Sequence, residues 1–169
     1  MLGAMFHEAV VTNTGFLLYL LGKLSYAATY LVPVLFIPAV LHRNGSTPYQ
    51  SALALMLMGI CNLIGRLIPG LLETCTSSRH LENHATKLLA LLDVGSAVAI
   101  FAMVSFQDCP EYVYMGCCLH GLCYGPREPL GATCALHFVG NEHDDRFRCA
   151  LGLDVAIYGL GVMIGKELG

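Results

Sequence analysis

Long apolar runs alternate with short polar ones along the whole chain. Five apolar stretches stand out: about Gly15 to Leu41, Ala52 to Leu72, Leu88 to Phe106, about Tyr112 to Val139, and about Ala150 to Ile164. Four of them meet the roughly 20-residue length that an α-helix needs to cross a bilayer. The fifth is short but can extend into its flanks. Between the runs lie LHRNGSTPYQ, ETCTSSRHLENHATK, QDCPE and GNEHDDRFR, where Asn, Gly, Pro, Ser and Asp concentrate, as turn chemistry predicts. The pattern predicts an all-α, polytopic membrane helix bundle of about five transmembrane helices. No polar stretch is long enough to separate two domains, so residues 1–169 read as a single transmembrane domain.

Composition agrees with this class. The chain is 56% hydrophobic and only 12% charged, with a mean hydropathy of +0.63. Soluble domains run near a quarter charged. The net charge of −3 adds little, because the charges sit in short segments between apolar runs. No basic tract interleaved with aromatic residues points to nucleic acid. The segment MLGAMFHEAVVTNTG has no Lys or Arg ahead of the first apolar run, so it does not read as a cleaved secretory signal.

Eight cysteines would suggest disulfides in a small secreted chain. Here Cys61, Cys117, Cys118, Cys123 and Cys134 fall inside apolar runs, where a free thiol behaves as a small hydrophobe. Cys75, Cys109 and Cys149 lie near loops. The Cys and His residues lack the paired CxxC spacing of zinc sites, so no metal and no cofactor is expected.

The loops also suggest an orientation. Those after the second and fourth spans carry Arg79, Lys87, Arg146 and Arg148, against Arg43 and Lys166 on the other side. The positive-inside tendency makes the first set cytoplasmic. Asn44-Gly45-Ser46, a glycosylation sequon, then falls on the outer side, although in a short loop.

Polar residues inside the spans carry the candidate chemistry. Arg66 lies well inside the second span, with Asn62 four residues earlier and therefore on the same helix face. A guanidinium at membrane depth is costly and normally faces a bundle interior or a water-filled cavity. Its planar fork suits a carboxylate bidentately. Arg66 therefore reads either as a ligand contact with Asn62 as its helper, or as the partner of an acidic residue on another helix. Gly59, Gly65 and Gly70 on the same span allow close approach of neighbouring backbones.

Lys23, about a third of the way into the first span, is either a second cavity charge or an interfacial anchor. Asp93 and Asp154 are either proton-carrying carboxylates or partners for basic residues across helices. The fourth span, CCLHGLCYGPREPLGATCALHFVG, is interrupted by Pro126 and Pro129 and loosened by Gly121, Gly125 and Gly131. Breaks at membrane depth occur where backbone is buried in protein or lines a cavity. Arg127 and Glu128 sit in this break and, as sequence neighbours, point to different faces. They can serve a site of the discontinuous-helix kind or pair with neighbouring helices.

GFLLYLLGK, YLVPVLFIPAVL and SALALMLMGICNLIGRLIPGLL together resemble the start of the C-terminal half of a monocarboxylate transporter, a family of the major facilitator superfamily. The likeness continues through YMGCCLHGLCYG, HFVG and RFRCALGL, and so covers nearly the whole chain. Its most specific part, GICNLIGRLIPG, resembles the family's eighth transmembrane helix, with Arg66 at the functional arginine position. The five spans would then be helices seven to eleven of a twelve-helix fold whose site lies between two six-helix halves. The chain would thus be an incomplete C-terminal half, either a fragment of a longer protein or a truncated product.

The resemblance implies alternating-access transport of monocarboxylates or related small organic anions in the plasma membrane. Arg66 and Asn62 would line the cavity, with Lys23 and Tyr30. Proton-coupled members carry an acidic residue where this chain has Asn62, so the resemblance does not extend to proton symport through that position. The GPREP segment and the final MIGKELG also depart from the family pattern. The competing expectation is a non-transporting membrane protein that binds an intact transporter, its missing N-terminal half or another membrane partner. An enzyme is not expected: no HExxH-type pairing occurs, and His120 and His137 read as packed or hydrogen-bonded residues.

Overall fold

The computed structural model describes residues 12–29, 31–75, 78–139 and 145–168. Among them there is no strand, and the chain forms seven helices: α1 (Thr14–Thr29), α2 (Leu31–Arg43), α3 (Pro48–Cys75), α4 (Ser78–Ser105), α5 (Pro110–Tyr124), α6 (Arg127–Val139) and α7 (Asp145–Leu168). Four helical segments are long and apolar enough to cross a membrane: Thr14–Arg43, Pro48–Leu72, His84–Ser105 and Asp145–Lys166. The protein is thus an all-helical, multi-pass membrane type.

Three boundaries differ from the sequence reading. The polar ETCTSSRHLENHATK stretch is mostly helix, because α3 runs on to Cys75 and α4 begins at Ser78. Beyond the apolar core, continuing the helix is the cheapest way to satisfy the backbone. The final span likewise grows from 150–164 to α7, which begins at Asp145, an acidic residue suited to a helix N-terminus. The expected fourth span, 112–139, divides at Gly125-Pro126 into α5 and α6, each too short alone to cross a bilayer. The interruption is slight. Gly125 keeps right-handed helical angles, its amide bonds to the Gly121 carbonyl, and the Leu130 amide bonds to the Pro126 carbonyl.

Helix starts follow local chemistry. Asn13 caps α1 by accepting a bond from the Phe16 amide at 3.1 Å. Thr47-Pro48-Tyr49-Gln50 forms a reciprocal capping box on α3. The Gln50 amide donates to Thr47 Oγ1 at 3.3 Å, and the Thr47 amide donates to Gln50 Oε1 at 2.8 Å. Pro48 occupies the first helical position, where a missing N–H costs nothing. Thr47→Ala should lower thermal stability by about 1 kcal/mol, measured as a melting shift of the detergent-solubilised chain.

The chain groups into two compact units, residues up to Val32 with Gly131 onward, and Pro33–Leu130. In the first, α1 packs along α7. Its core is Phe16, Leu20, Ala135 and Ala150, with Tyr19, Phe138 and Phe147 against it. In the second, α5 packs against both α3 and α4, around Ile37, Leu41, Ala54, Met103, Val113 and Cys117. At one end of this unit, Asn44 Nδ2 donates to the Gln107 carbonyl and ties the turn after α2 to the turn after α4.

Glycine makes the α3–α5 contact close. A Cβ on Gly65 would stand 2.7 Å from the Leu122 carbonyl oxygen. One on Gly121 or Gly125 would strike the carbonyl oxygen of Met58 or Asn62. Gly121 and Gly125 are therefore packing residues, spaced as a small-xxx-small pair, rather than only loosening the helix as their sequence context suggests. Gly59 and Gly70 face open space, so of the three α3 glycines only Gly65 serves close approach.

Candidate functional site

The site begins with one helical turn of α3. Arg66 Nε donates to Asn62 Oδ1 at 3.0 Å, as residues four apart on one face allow. Gly125 positions this turn. Its missing side chain lets α5 lie against the Asn62 carbonyl and the Arg66 amide, which a Cβ there would meet at 2.9 Å. Arg66 itself is exposed. Its helix also exposes Ile60, Leu63, Ile64, Leu67 and Leu71. An apolar face of that kind belongs in lipid or against another helix, while the guanidinium needs an anion or water. The ion pairs among the described residues join other groups, and none includes Arg66.

A second charged constellation lies in the first unit. Lys23, in α1, is 2% exposed and Asp154, in α7, is 4% exposed. Lys23 Nζ meets Asp154 Oδ2 at 2.9 Å. Tyr19 donates its hydroxyl to Asp154 Oδ1 at 2.8 Å. The Lys23 ammonium also stands over the Tyr158 ring, 5.5 Å from its centroid, a cation–π arrangement. Lys23 is thus held in a protein interior by a carboxylate, and interfacial anchoring does not describe it.

The third constellation spans α4 and the start of α6, where Arg127 ion-pairs with Asp93. Arg127 is buried, whereas the Asp93 side chain is 48% exposed. Glu128, next in sequence, is half-buried. Nearby on α4, Ser96 Oγ and His120 Nδ1 lie 2.8 Å apart. His120 is therefore a buried, hydrogen-bonded residue, and His137 stacks edge-on against Phe138. Among the described residues, no group of three or more His, Cys, Asp or Glu side chains is placed to hold a metal ion.

Of the residues singled out from sequence, the structure joins Asn62 with Arg66, Lys23 with Asp154, and Asp93 with Arg127. Lys23 belongs to the first unit and Arg66 to the second. Tyr30 lies outside the described residues. Tyr19 was missed. Its signal was available, since it precedes the intramembrane Lys23 by four residues and so shares its helix face.

No protein-family model matches the chain, and no curated protein or solved structure matches it either.

Proposed function

We propose that the chain is part of a transmembrane carrier of small organic anions, with Arg66 as the carboxylate contact and Asn62 as the residue that aims it. The observation that carries this reading is the Asn62–Arg66 pair on α3. The Asn62 amide oxygen engages Nε and so fixes the plane of the guanidinium. Arg66 is exposed, and the terminal nitrogens of its fork can bind a carboxylate bidentately. The resemblance of GICNLIGRLIPG to the eighth helix of monocarboxylate transporters supports the same assignment. In that reading the exposed apolar face of α3 meets a companion helical bundle in the plasma membrane, and the site closes between the two by alternating access.

The test is uptake of labelled propionate by cells expressing the complete gene product. Arg66→Ala should lower uptake at least tenfold, in line with the loss of a charge-assisted hydrogen bond. Unchanged uptake removes Arg66 from the site. The same exposed face also favours a second reading, a non-transporting partner of another membrane protein. Co-purification of a stoichiometric membrane partner without any propionate uptake would favour that reading.

A further inference from the structure

Two cysteines meet across the α3–α5 contact. Cys61 lies in the Pro48–Leu72 span of α3 and Cys118 in α5, and both are free and half-buried. Each stands four residues, about one helical turn, before a member of the Gly65–Leu122 contact. A Cβ at Gly65 would stand 2.7 Å from the Leu122 carbonyl oxygen, so backbone lies against backbone there. The Met58–Gly121 and Asn62–Gly125 contacts continue that closeness on either side of Cys61. One turn back along both helices, the Cys61 and Cys118 thiols are hydrogen-bonded to each other. Two other α5 thiols turn toward α4 instead. Cys117 is buried, with Sγ 3.8 Å from Met103 Sδ, and Cys123 Sγ lies against Gly95. A disulfide needs Cα atoms about 4.4–6.8 Å apart, and helices packed backbone to backbone are the ones that come within that range. Ile60 and Ile64, which flank Cys61 on α3, are exposed. An oxidant that reaches the pair at this depth has to be soluble in lipid.

We propose that Cys61 and Cys118 form a dithiol site that lipid hydroperoxides oxidise to a disulfide, joining α3 covalently to α5. One sulfur attacks the terminal peroxide oxygen. The O–O bond breaks, an S–O bond forms, and the thiol proton goes to the departing alkoxide, which leaves as the lipid alcohol. The product is a sulfenic acid, which condenses with a neighbouring thiol. The second sulfur attacks the first, the S–S bond forms and the S–O bond breaks. Water leaves with the second thiol proton. The two thiols together give up two electrons, and the peroxide receives them. Contact between the thiols matters because it captures the sulfenic acid before further oxidation to the irreversible sulfinic acid. Cys61 directly precedes Asn62, so the link falls at the turn that carries Arg66. The site goes beyond the carrier reading and stands whatever the chain carries.

The full chain in lipid nanodiscs can be exposed to cumene hydroperoxide, a membrane-permeant probe, then alkylated and mapped by peptide mass spectrometry. A peptide linking Cys61 to Cys118 should appear, and both residues should be lost from alkylation until dithiothreitol restores them. The melting temperature should rise on oxidation and fall back on reduction. In Cys61→Ser or Cys118→Ser no linked peptide should form, and dimedone should trap the sulfenic acid on the cysteine that remains. Phenylarsine oxide reads the pair in the unmodified chain, should a serine variant fail to fold. It should bridge Cys61 and Cys118 through arsenic with loss of water. Cysteines 61 and 118 that stay alkylatable after peroxide overturn the proposal. So does either one linking to Cys117 or Cys123 as readily as to its partner, or an arsenical that bridges other thiols and not these.

Discussion

Leucine at Gly121 or Gly125 should unfold the second unit. A Cβ at either position drives into the α3 backbone, at the Met58 and Asn62 carbonyl oxygens. Backbone cannot rotate aside as a side chain can, so α3 and α5 must separate. Overpacking costs typically 1–3 kcal/mol, occasionally more, and these sites belong at the upper end because the obstruction is main chain. We expect about 3 kcal/mol for each substitution, read as a loss of monodisperse protein and a fall in melting temperature in detergent. Gly59→Leu and Gly70→Leu are the controls. Both positions face open space, and each should change stability by no more than about 0.5 kcal/mol. Helix propensity alone would make all four substitutions stabilising, so equal losses at all four positions would show that the α3–α5 contact does not set the effect.

The second large effect belongs to Asp154. Replacing it with Leu takes the Asp154 carboxylate away from the buried Lys23 ammonium. Breaking a buried pair from one side costs about 3–5 kcal/mol, and Lys23, at 2% exposure, has little access to water. Lys23→Met together with Asp154→Leu removes both charges while roughly keeping volume. The double variant should recover most of the loss, because desolvation of two ions offsets much of what their attraction contributes. Thermal unfolding of the two singles and the double completes the cycle. A double variant as unstable as the Asp154→Leu single would mean that packing, not charge, governs this contact.

The helical class and most of the spans were legible because bilayer-length apolar runs leave few alternatives. Span four was legible as irregular, yet its two halves were not separable by hydropathy, since Gly125-Pro126 interrupts the helix without adding a polar loop. The glycines show the limit most clearly. Gly59, Gly65 and Gly70 look alike in sequence, but only Gly65 is turned toward α5. Composition reveals a small residue and not the direction it faces once neighbours are in place. Asn62 and Arg66 were readable as a pair because they are one turn apart. The pairing of Lys23 with Asp154 was not readable, because it joins α1 to α7 across nearly the whole chain. Asp93 and Arg127 were each marked as charged candidates, but only the packing of α4 beside α5 brings them together.

The glycine contacts between α3 and α5 run in the same order along both helices, from Met58 with Gly121 to Asn62 with Gly125. The two helices are therefore parallel, and α4 must cross back between them. During synthesis at the membrane, α3 enters before its closest neighbour exists, and its glycine face waits for a whole further crossing. The Asn62–Arg66 bond is different in kind, because it lies within α3. It can form as soon as that helix does. The guanidinium thus enters the bilayer already holding one of its hydrogen bonds, before α4 or α5 can offer it one.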